Sequence, residues 1–553
     1  MTLSEAETAV VAAARAGTRV DVREDPVLRG PQLAEALRTA GDLRSVHIAG
    51  ATVEGAFDLG FAEITAPLRF EDCDFDTAPD LSWTHLRFVS FTGCTLPGLR
   101  AANATVNGDI SARGSTLRGR LNLFHTRCSG NITLDDATLG SGISADSVVV
   151  EGGFFARRCT VDGEVRMRHA RIGDALTFTG STLRNPGRVV VRLDRATLSG
   201  GLFLGNGTEI TGEVRALSTE IHRTLSLAEG VFERTGGVAL RFDAARIEGE
   251  LDGRHKLRVR GAFRMEDAVV SGPVRLEGAS LANPGGAALA ANGLRAGGLL
   301  NCCDGFRAEG SVHLTGAQIG TRLCFDDAAV EELHCWRVQA GEITLRFAAP
   351  PGSIDLRYAR TGVLRDDPAT WPAVLLLDGL TYDILDPQTT PARRVDWLSR
   401  DPGGHHRQPY EQLATVLRAQ GRPDAARVLL LARQRRDTRR ASRAARVWGY
   451  LQDATVGYGY LPQRAAVIFA ALLVLGTVVF GASPPAAAEP AKAPPFNALI
   501  YTLDLLLPIL DFGQQSAFVP RGAHQWASYA FIIAGVILAT TIAAGLSRSL
   551  RRT

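Results

Sequence analysis

The sequence predicts a mainly β protein: a right-handed parallel β-solenoid with an N-terminal helical cap, a C-terminal helical hairpin and two transmembrane helices. Three observations carry that prediction. Apolar residues recur every 11 residues, at Val106, Leu117, Cys128, Leu139, Val150, Val161 and Ile172. A second apolar set follows four residues later, at Ile110, Leu121, Ile132, Ile143, Phe154, Val165 and Leu176. Two uncharged apolar runs of membrane-crossing length lie near the end of the chain. A fixed short period of this kind marks a solenoid, in which no turn buries its apolar face alone and stacking supplies the core.

Within each unit, offsets zero, four and six are apolar and offset two is usually glycine, as at Gly108, Gly119, Gly130, Gly152 and Gly163. All are even, so an extended strand would present them on one side. Glycine there leaves room for a tight corner. The odd positions carry Arg, Asp, Asn and Thr, which suits a solvated outer face. One unit is too short to enclose a packed interior, so two units, 22 residues, are expected to make one turn.

Past Leu183 the ladder becomes compound. Core positions run Leu183, Leu198, Ile210, Ile221, Phe232, with steps of 15, 12, 11 and 11 residues. The same steps recur through Ile247, Val259, Val270 and Leu281, and again through Ala296, Ala308, Ile319 and Val330. This is a 49-residue super-repeat in three copies. Each copy opens with turn-forming residues: Asn185-Pro186-Gly187, Thr235-Gly236-Gly237 and Asn283-Pro284-Gly285-Gly286. They predict a row of loops on one face, either tolerated insertions or a surface for a protein partner.

The remaining elements follow in order. Residues 1–45 read as the helical cap. Ser4 and Glu7 form a capping box for a helix ending before Gly17, and a second helix is expected from Pro31 to Thr39. The acidic start has no signal-peptide pattern. The solenoid is expected over 46–385, closing near Ala373–Tyr382. Residues 386–462 read as a helical hairpin and basic juxtamembrane region. Its helices run from Pro409 to Gln420 and from Asp424 to Arg436, with Leu413, Val416 and Leu417 on Ala425, Val428 and Leu429. Arg433, Arg435, Arg436, Arg439, Arg440, Arg443 and Arg446 then form a basic run expected to meet anionic lipid, in preference to nucleic acid.

Residues 463–553 read as a two-span membrane domain. Spans are expected over Ala465–Ser483 and Trp526–Leu546. Arginine crowds the flank before the first and the tail after the second, which by the positive-inside rule places both termini and the solenoid in the cytoplasm of a cell with these spans in its plasma membrane. Between the spans, Ala498–Leu510 is apolar but about one-third short of bilayer length. It contains Asp504 and runs into Pro508, Asp511 and Gly513. Span, short apolar helix, acidic turn and span is the order of a two-span pore domain, with room for homo-oligomerisation through the spans; an interfacial helix with both carboxylates wet is the other reading. Thr455-Val456-Gly457-Tyr458-Gly459 spells a potassium-filter sequence but precedes the first span, so it reads as a turn leading into the membrane.

Composition adds bounds. The net charge of +3 argues neither for nor against a nucleic-acid partner, and only Lys256 and Lys492 are lysines among the 61 Lys and Arg residues. The eight cysteines, Cys73, Cys94, Cys128, Cys159, Cys302, Cys303, Cys324 and Cys335, all lie in the solenoid without CxxC spacing. They are expected to be reduced structural thiols, the vicinal Cys302-Cys303 being the one candidate redox pair. Gly140-Ser141-Gly142-Ile143-Ser144-Ala145 matches a dinucleotide fingerprint loosely but falls inside the ladder. No catalytic, cofactor-binding or metal motif is found, and none is assigned.

The glycine-punctuated ladder is similar to degenerate pentapeptide-repeat and bactofilin-like solenoids. The whole order resembles a group of actinobacterial membrane proteins: ladder, Leu377-Asp-Gly-Leu-Thr-Tyr382 strand, Pro409-Tyr-Glu-Gln-Leu413 hairpin, Gly457-Tyr-Gly-Tyr460 and two spans. Those are often labelled membrane-associated oxidoreductases, and the resemblance implies that label alone. The residues themselves predict a membrane-anchored scaffold or interaction protein with the lipid bilayer and a protein on the solenoid as partners. An oligomeric channel-like pore controlled by the solenoid is the alternative.

Overall fold

The computed structural model describes residues 3–24, 26–403, 406–440, 442, 446–447, 449–450, 452–453, 457, 462–491, 493–507 and 510–550, with backbone alone at 439–440, 462–463 and 541–550. The chain forms two compact units, Met1–Thr389 with Trp397–Pro402 and Thr390–Asp396 with Gly403–Thr553. Each is described by itself.

The first unit is a parallel β-solenoid of about 16 turns. Val106 pairs with Cys128 and Leu117 with Leu139, while Ile110 pairs with Ile132 and Leu121 with Ile143. Each partner is 22 residues on, so two 11-residue units make one turn. The strands are two residues long, as in Thr105–Val106, Ile110–Ser111, Thr116–Leu117 and Leu121–Asn122. Four such strands bound each turn. The apolar offsets therefore do not lie along one extended strand. They converge from two strands and the bend between them, and Val106, Ile110, Ala112, Leu117, Leu121 and Leu123 are all buried.

The glycine positions need a different reason from the one the pattern suggests. The left-handed turn lies elsewhere in the unit, at Asn103, Gly114, His125, Asp136, Ser147, Arg158, His169 and Gly180, again every 11 residues. Gly108 and Gly119 have no left-handed backbone; a Cβ on them would stand 2.6 Å from the Arg87 carbonyl oxygen and 2.1 Å from that of Pro97. Glycine is required there for the close approach of one turn to the next.

The 49-residue super-repeat is present as read. Its core positions from Leu183 to Val330 are all buried. Each insert lies in a long strand, Thr182–Arg192, Val231–Arg241 and Ser280–Ala290, alternating along one face with Glu209–Arg215, Arg258–Arg264 and Arg307–His313. Register shifts mark where the inserts leave the ladder.

The solenoid begins earlier than the sequence pattern indicates. Arg19–Asp21 pairs with His47–Ala49 and Val27–Arg29 with Thr52–Glu54, so the first turn lies inside the segment read as a cap. Strands of three residues are too short to show an alternation. Helix α1 (Glu5–Ala16) has its Ser4–Glu7 capping box and left-handed Gly17, and α2 is Gly30–Thr39. Buried Glu7 also accepts Nε and Nη2 of Arg29, tying α1 to the first turn. The last turn closes with Thr381–Asp386. There Arg400 donates to the Trp371 and Pro372 carbonyls, and Trp397 packs on Trp371.

Six cysteines are free and buried, but Cys303 and Cys324 are joined in a disulfide between adjacent turns. That corrects the expectation of reduced thiols throughout. Their separation of 21 positions approximates one turn and brings their Cα atoms to 5.9 Å.

In the second unit, α3 (Pro391–Ser399) contributes its first residues, and α4 (Gln408–Ala419) and α5 (Pro423–Arg440) form the hairpin. Leu413, Val416 and Leu417 are buried as expected. The facing side of α5 is Ala426, Leu429 and Leu430, not Ala425 and Val428; Val428 is exposed. Helical spacing carries that face on to Arg433. Helices α6 (Pro462–Ala482) and α9 (Ala523–Leu550) are each long and apolar enough to cross a membrane. Between them lie α7 (Ala498–Leu506) and the single turn α8 (Gln514–Ala517).

Candidate functional site

Two regions gather the residues singled out by the sequence: the connection between α6 and α9, and the insert row of the solenoid.

Helix α7 packs against both long helices. A Cβ on Gly476 of α6 would stand 2.2 Å from Thr502 Cγ2, and one on Gly535 of α9 would stand 2.4 Å from the Leu506 carbonyl oxygen. Glycine at each crossing lets α7 seat closely. Gly476 lies about 9 Å from the end of α6, and Gly535 about 18 Å from the start of α9 at helical rise. Helix α7 therefore runs alongside the two helices and does not sit beyond their ends. Tyr501, Thr502, Leu505 and Leu506 are buried, with Tyr501 edge-on to Phe480 at 5.0 Å.

Asp504 is 2 % exposed, and its carboxylate is fully engaged. Oδ1 accepts the Phe512 amide at 2.9 Å; Oδ2 accepts those of Gln514 at 3.0 Å and Gln515 at 2.7 Å. These are the free N–H groups before and at the start of α8, where a carboxylate is favoured. Exposed Asp511 accepts from the Gly513 amide, and Gly513 is left-handed at φ 79°. Pro508 lies outside the described residues. The sequence reading missed Gln514, whose Oε1 accepts the Asn497 amide while its Nε2 donates to the Pro495 carbonyl. Its polar side chain beside an apolar run was the available signal.

The basic run divides. Arg433 is turned into the hairpin, its side chain 9 % exposed and paired with Glu411 and Asp437. Arg435 pairs with Asp453, and Arg436 donates to the Tyr410 hydroxyl. Arg433 and Arg436 thus act within the hairpin, while Arg435 reaches Asp453 beyond it. Arg446 is half-buried in a short helical stretch. The side chains of Arg439 and Arg440, all of Arg443, and the segment Thr455–Gly459 apart from Gly457 lie outside the description.

On the solenoid the three inserts share one construction. The first insert side chain donates to the carbonyl four residues on: Asn185 to Val189, Arg234 to Val238 and Asn283 to Ala287. Left-handed Gly187, Gly236 and Gly285 form the tips. In the following turn Gly212, Gly261 and Gly310, with φ of 132°, 123° and 117°, fit under the insert; a Cβ on each would meet a carbonyl oxygen of that insert at 2.8, 2.5 and 2.6 Å. Beside the first insert a groove of about 600 Å³ is lined by Arg120, Ser141, Asp162, Glu164, Arg188 and Arg192. Gly142 faces the Glu164 carbonyl of the next turn, so the glycines of the dinucleotide-like stretch serve stacking.

The outer Asp and Arg residues largely neutralise one another. Asp135 receives Arg157 at 2.6 Å and Arg113 at 3.3 Å; burial raises its pKa, but the two guanidinium groups outweigh it and the net shift is downward. Asp146 is held the same way by Arg168 and Arg166. Burial pushes the Cys159 thiol up to about 12 and Cys128 to about 11, so both are poor nucleophiles. Among the described residues no three His, Cys, Asp or Glu side chains are grouped to hold a metal ion.

The fold defines a parallel β-solenoid chain with a helical unit bearing two membrane-length helices. Comparison with family models, with curated proteins and with solved structures finds no match.

Proposed function

We propose that the chain is a membrane-anchored scaffold whose solenoid docks a protein partner from the cytoplasmic side. The observation that carries this reading is the row of three inserts, built alike at 49-residue intervals and carried on alternate turns of one face. A repeated protrusion on a rigid column offers several equivalent contacts to one extended partner, and multivalent contact gains affinity without any single strong site. The arginines flanking the spans support the orientation. The Cys303–Cys324 disulfide weighs against it, since disulfides persist mainly in oxidising compartments.

The test is cross-linking from the insert tips in intact cells, with a photoreactive residue at Gly187, Gly236 or Gly285. One partner captured from all three tips supports the scaffold, and capture that is unchanged from a solenoid corner away from the inserts sinks it. Protease added to right-side-out and inverted membrane vesicles reads the orientation independently.

The pore reading is favoured by one observation, the position of α7 alongside α6 and α9. Ion flux through the full chain in liposomes tests it. The helical unit gives a pore no free Asp504 carboxylate, because three backbone amides occupy it.

A further inference from the structure

Two buried thiols of the solenoid sit one above the other. Asp74 pairs with Thr95 across adjacent turns, and the Thr95 amide donates to the Cys73 carbonyl at 2.9 Å. Cys73 and Cys94 therefore occupy the same ladder position in the third and fourth turns. Both are 1 % exposed, and both are free. The same position holds Ala51 in the turn before and Ser115, Ala137, Cys159 and Ser181 in the turns that follow. Cys159 thus has Ala137 and Ser181 as its neighbours, and Cys128 has Val106 and Val150. Among the described residues, only Cys73 and Cys94 place two free cysteines at one position in successive turns.

Ser115 and Ser181 show what this position asks for. Each is a small polar side chain that donates to a carbonyl of the turn before, at 2.9 Å to Phe91 and 2.7 Å to Ala156. Cys73 and Cys94 make the same bond to Ile48 and Phe70, at 3.7 and 3.5 Å. Serine would serve there as well. What the two thiols add is each other. They lie within hydrogen-bonding reach, an interaction that draws the Cys73 pKa down and pushes that of Cys94 up. Equivalent positions in adjacent turns stand about 4.8 Å apart, inside the range of roughly 4.4–6.8 Å between Cα atoms that a disulfide spans. The chain already joins two adjacent turns once, at Cys303–Cys324.

We propose that Cys73 and Cys94 are a second, reversible disulfide site, closed by exchange with an external disulfide such as oxidised glutathione. Cys73, as its thiolate, attacks one sulfur of the external disulfide and releases the other half as a thiol. Cys94 then gives up its proton, and its sulfur attacks that of Cys73 and expels the second thiol. Two thiols of the chain are oxidised, one external disulfide is reduced to two thiols, and the two turns are joined. Exchange takes place as the chain folds or when its early turns open, so neither thiol needs solvent access in the closed column. The bond clips the third turn to the fourth, and the fraction closed follows the redox state around the solenoid. This goes beyond the scaffold reading and does not depend on it.

The experiment holds the full chain in detergent with oxidised and reduced glutathione, and with urea below the unfolding transition so that turns open and close. Thiols are then blocked in denaturant without reduction, and tryptic peptides are mapped by mass spectrometry. Trypsin cuts after Arg69, Arg87 and Arg100, which puts Cys73 and Cys94 on separate peptides. As the glutathione ratio is made more oxidising, free thiols are expected to fall from six to four, the loss lying in that one linked pair of peptides. The linked chain is expected to melt no lower than the chain with the pair reduced. Cys73→Ser and Cys94→Ser install the residue that Ser115 and Ser181 already place at this position, so both are expected to fold and to keep their remaining thiols free. Cys159→Ser is expected to close the pair as the native chain does. The proposal fails if all six thiols stay free across the range, if glutathione stays attached to Cys73 without release, if the thiols lost belong to another pair, or if the linked chain melts lower.

Discussion

The carboxylate of Asp504 receives the backbone amide of Gln514 at 3.0 Å. With the amides of Phe512 and Gln515 it forms a bracket that shapes the connection between α7 and α9. Truncating a buried acceptor of this kind leaves backbone donors unpaired, at a cost of about 1–3 kcal/mol. Asp504→Ala is expected to lower the melting temperature of the purified chain and to open residues 510–517 to protease. Asp511→Ala, on an exposed carboxylate with one local bond, is expected to change neither by a measurable amount.

The glycine notches of α6 and α9 give a second test. Gly476→Leu and Gly535→Leu each force a side chain into space held by α7, an overpacking of about 1–3 kcal/mol. Both variants are expected to loosen α7. A cysteine pair at Gly481 and Ala498, whose side chains would lie in ordinary contact, is expected to cross-link readily in the native chain and more slowly in either variant.

In the solenoid, Gly212→Ala, Gly261→Ala and Gly310→Ala are each expected to destabilise by about 1–3 kcal/mol, combining a positive φ with a carbonyl oxygen inside contact distance. Gly187→Ala, at φ 71° with nothing within 4 Å, carries only the backbone cost of about 1 kcal/mol. Urea unfolding of the four variants distinguishes the two classes.

Acid tests the N-terminal turn. The Arg29 hydrogen bond, opposed in part by burial, holds the Glu7 carboxyl down at about 2, against an ordinary 4.5. Its folded pKa is depressed, so its contribution is present above pH 4.5 and lost as pH falls towards 2. With Arg29 half-exposed, we expect about 2 kcal/mol. The difference in unfolding free energy between the native chain and Glu7→Gln is expected to shrink between pH 5 and pH 2.

Thiol chemistry is equally specific. Denatured chain is expected to show six reactive thiols before reduction and, with the Cys303–Cys324 bond opened, all eight after it. Native chain is expected to resist alkylation, since its free cysteines are all buried.

Much of this architecture is legible in the sequence because turns stack in register. Val106 and Cys128 occupy the same place in successive turns, so the period survives as spacing, and the 49-residue repeat survives for the same reason. The two long helices announce themselves by composition. What escaped has physical causes. The first turn is hidden because Arg19–Asp21 and Val27–Arg29 are too short to alternate. The disulfide is hidden because Cys324 pairs in register with Asn301, so the two cysteines do not share a ladder position and the period alone does not bring them together. The bracket around Asp504 is hidden because its donors are backbone groups, which leave no mark in the sequence.

The 22-residue register has a consequence for how this chain can change length. Adding or removing a whole turn leaves every later residue in phase. Removing a single 11-residue unit would preserve apolar spacing yet rotate all that follows by half a revolution, carrying the inserts at Asn185, Arg234 and Asn283 to the opposite side of the column. Viable natural variants should therefore differ in length by even multiples of the unit, and the column behaves as a ruler graduated in whole turns.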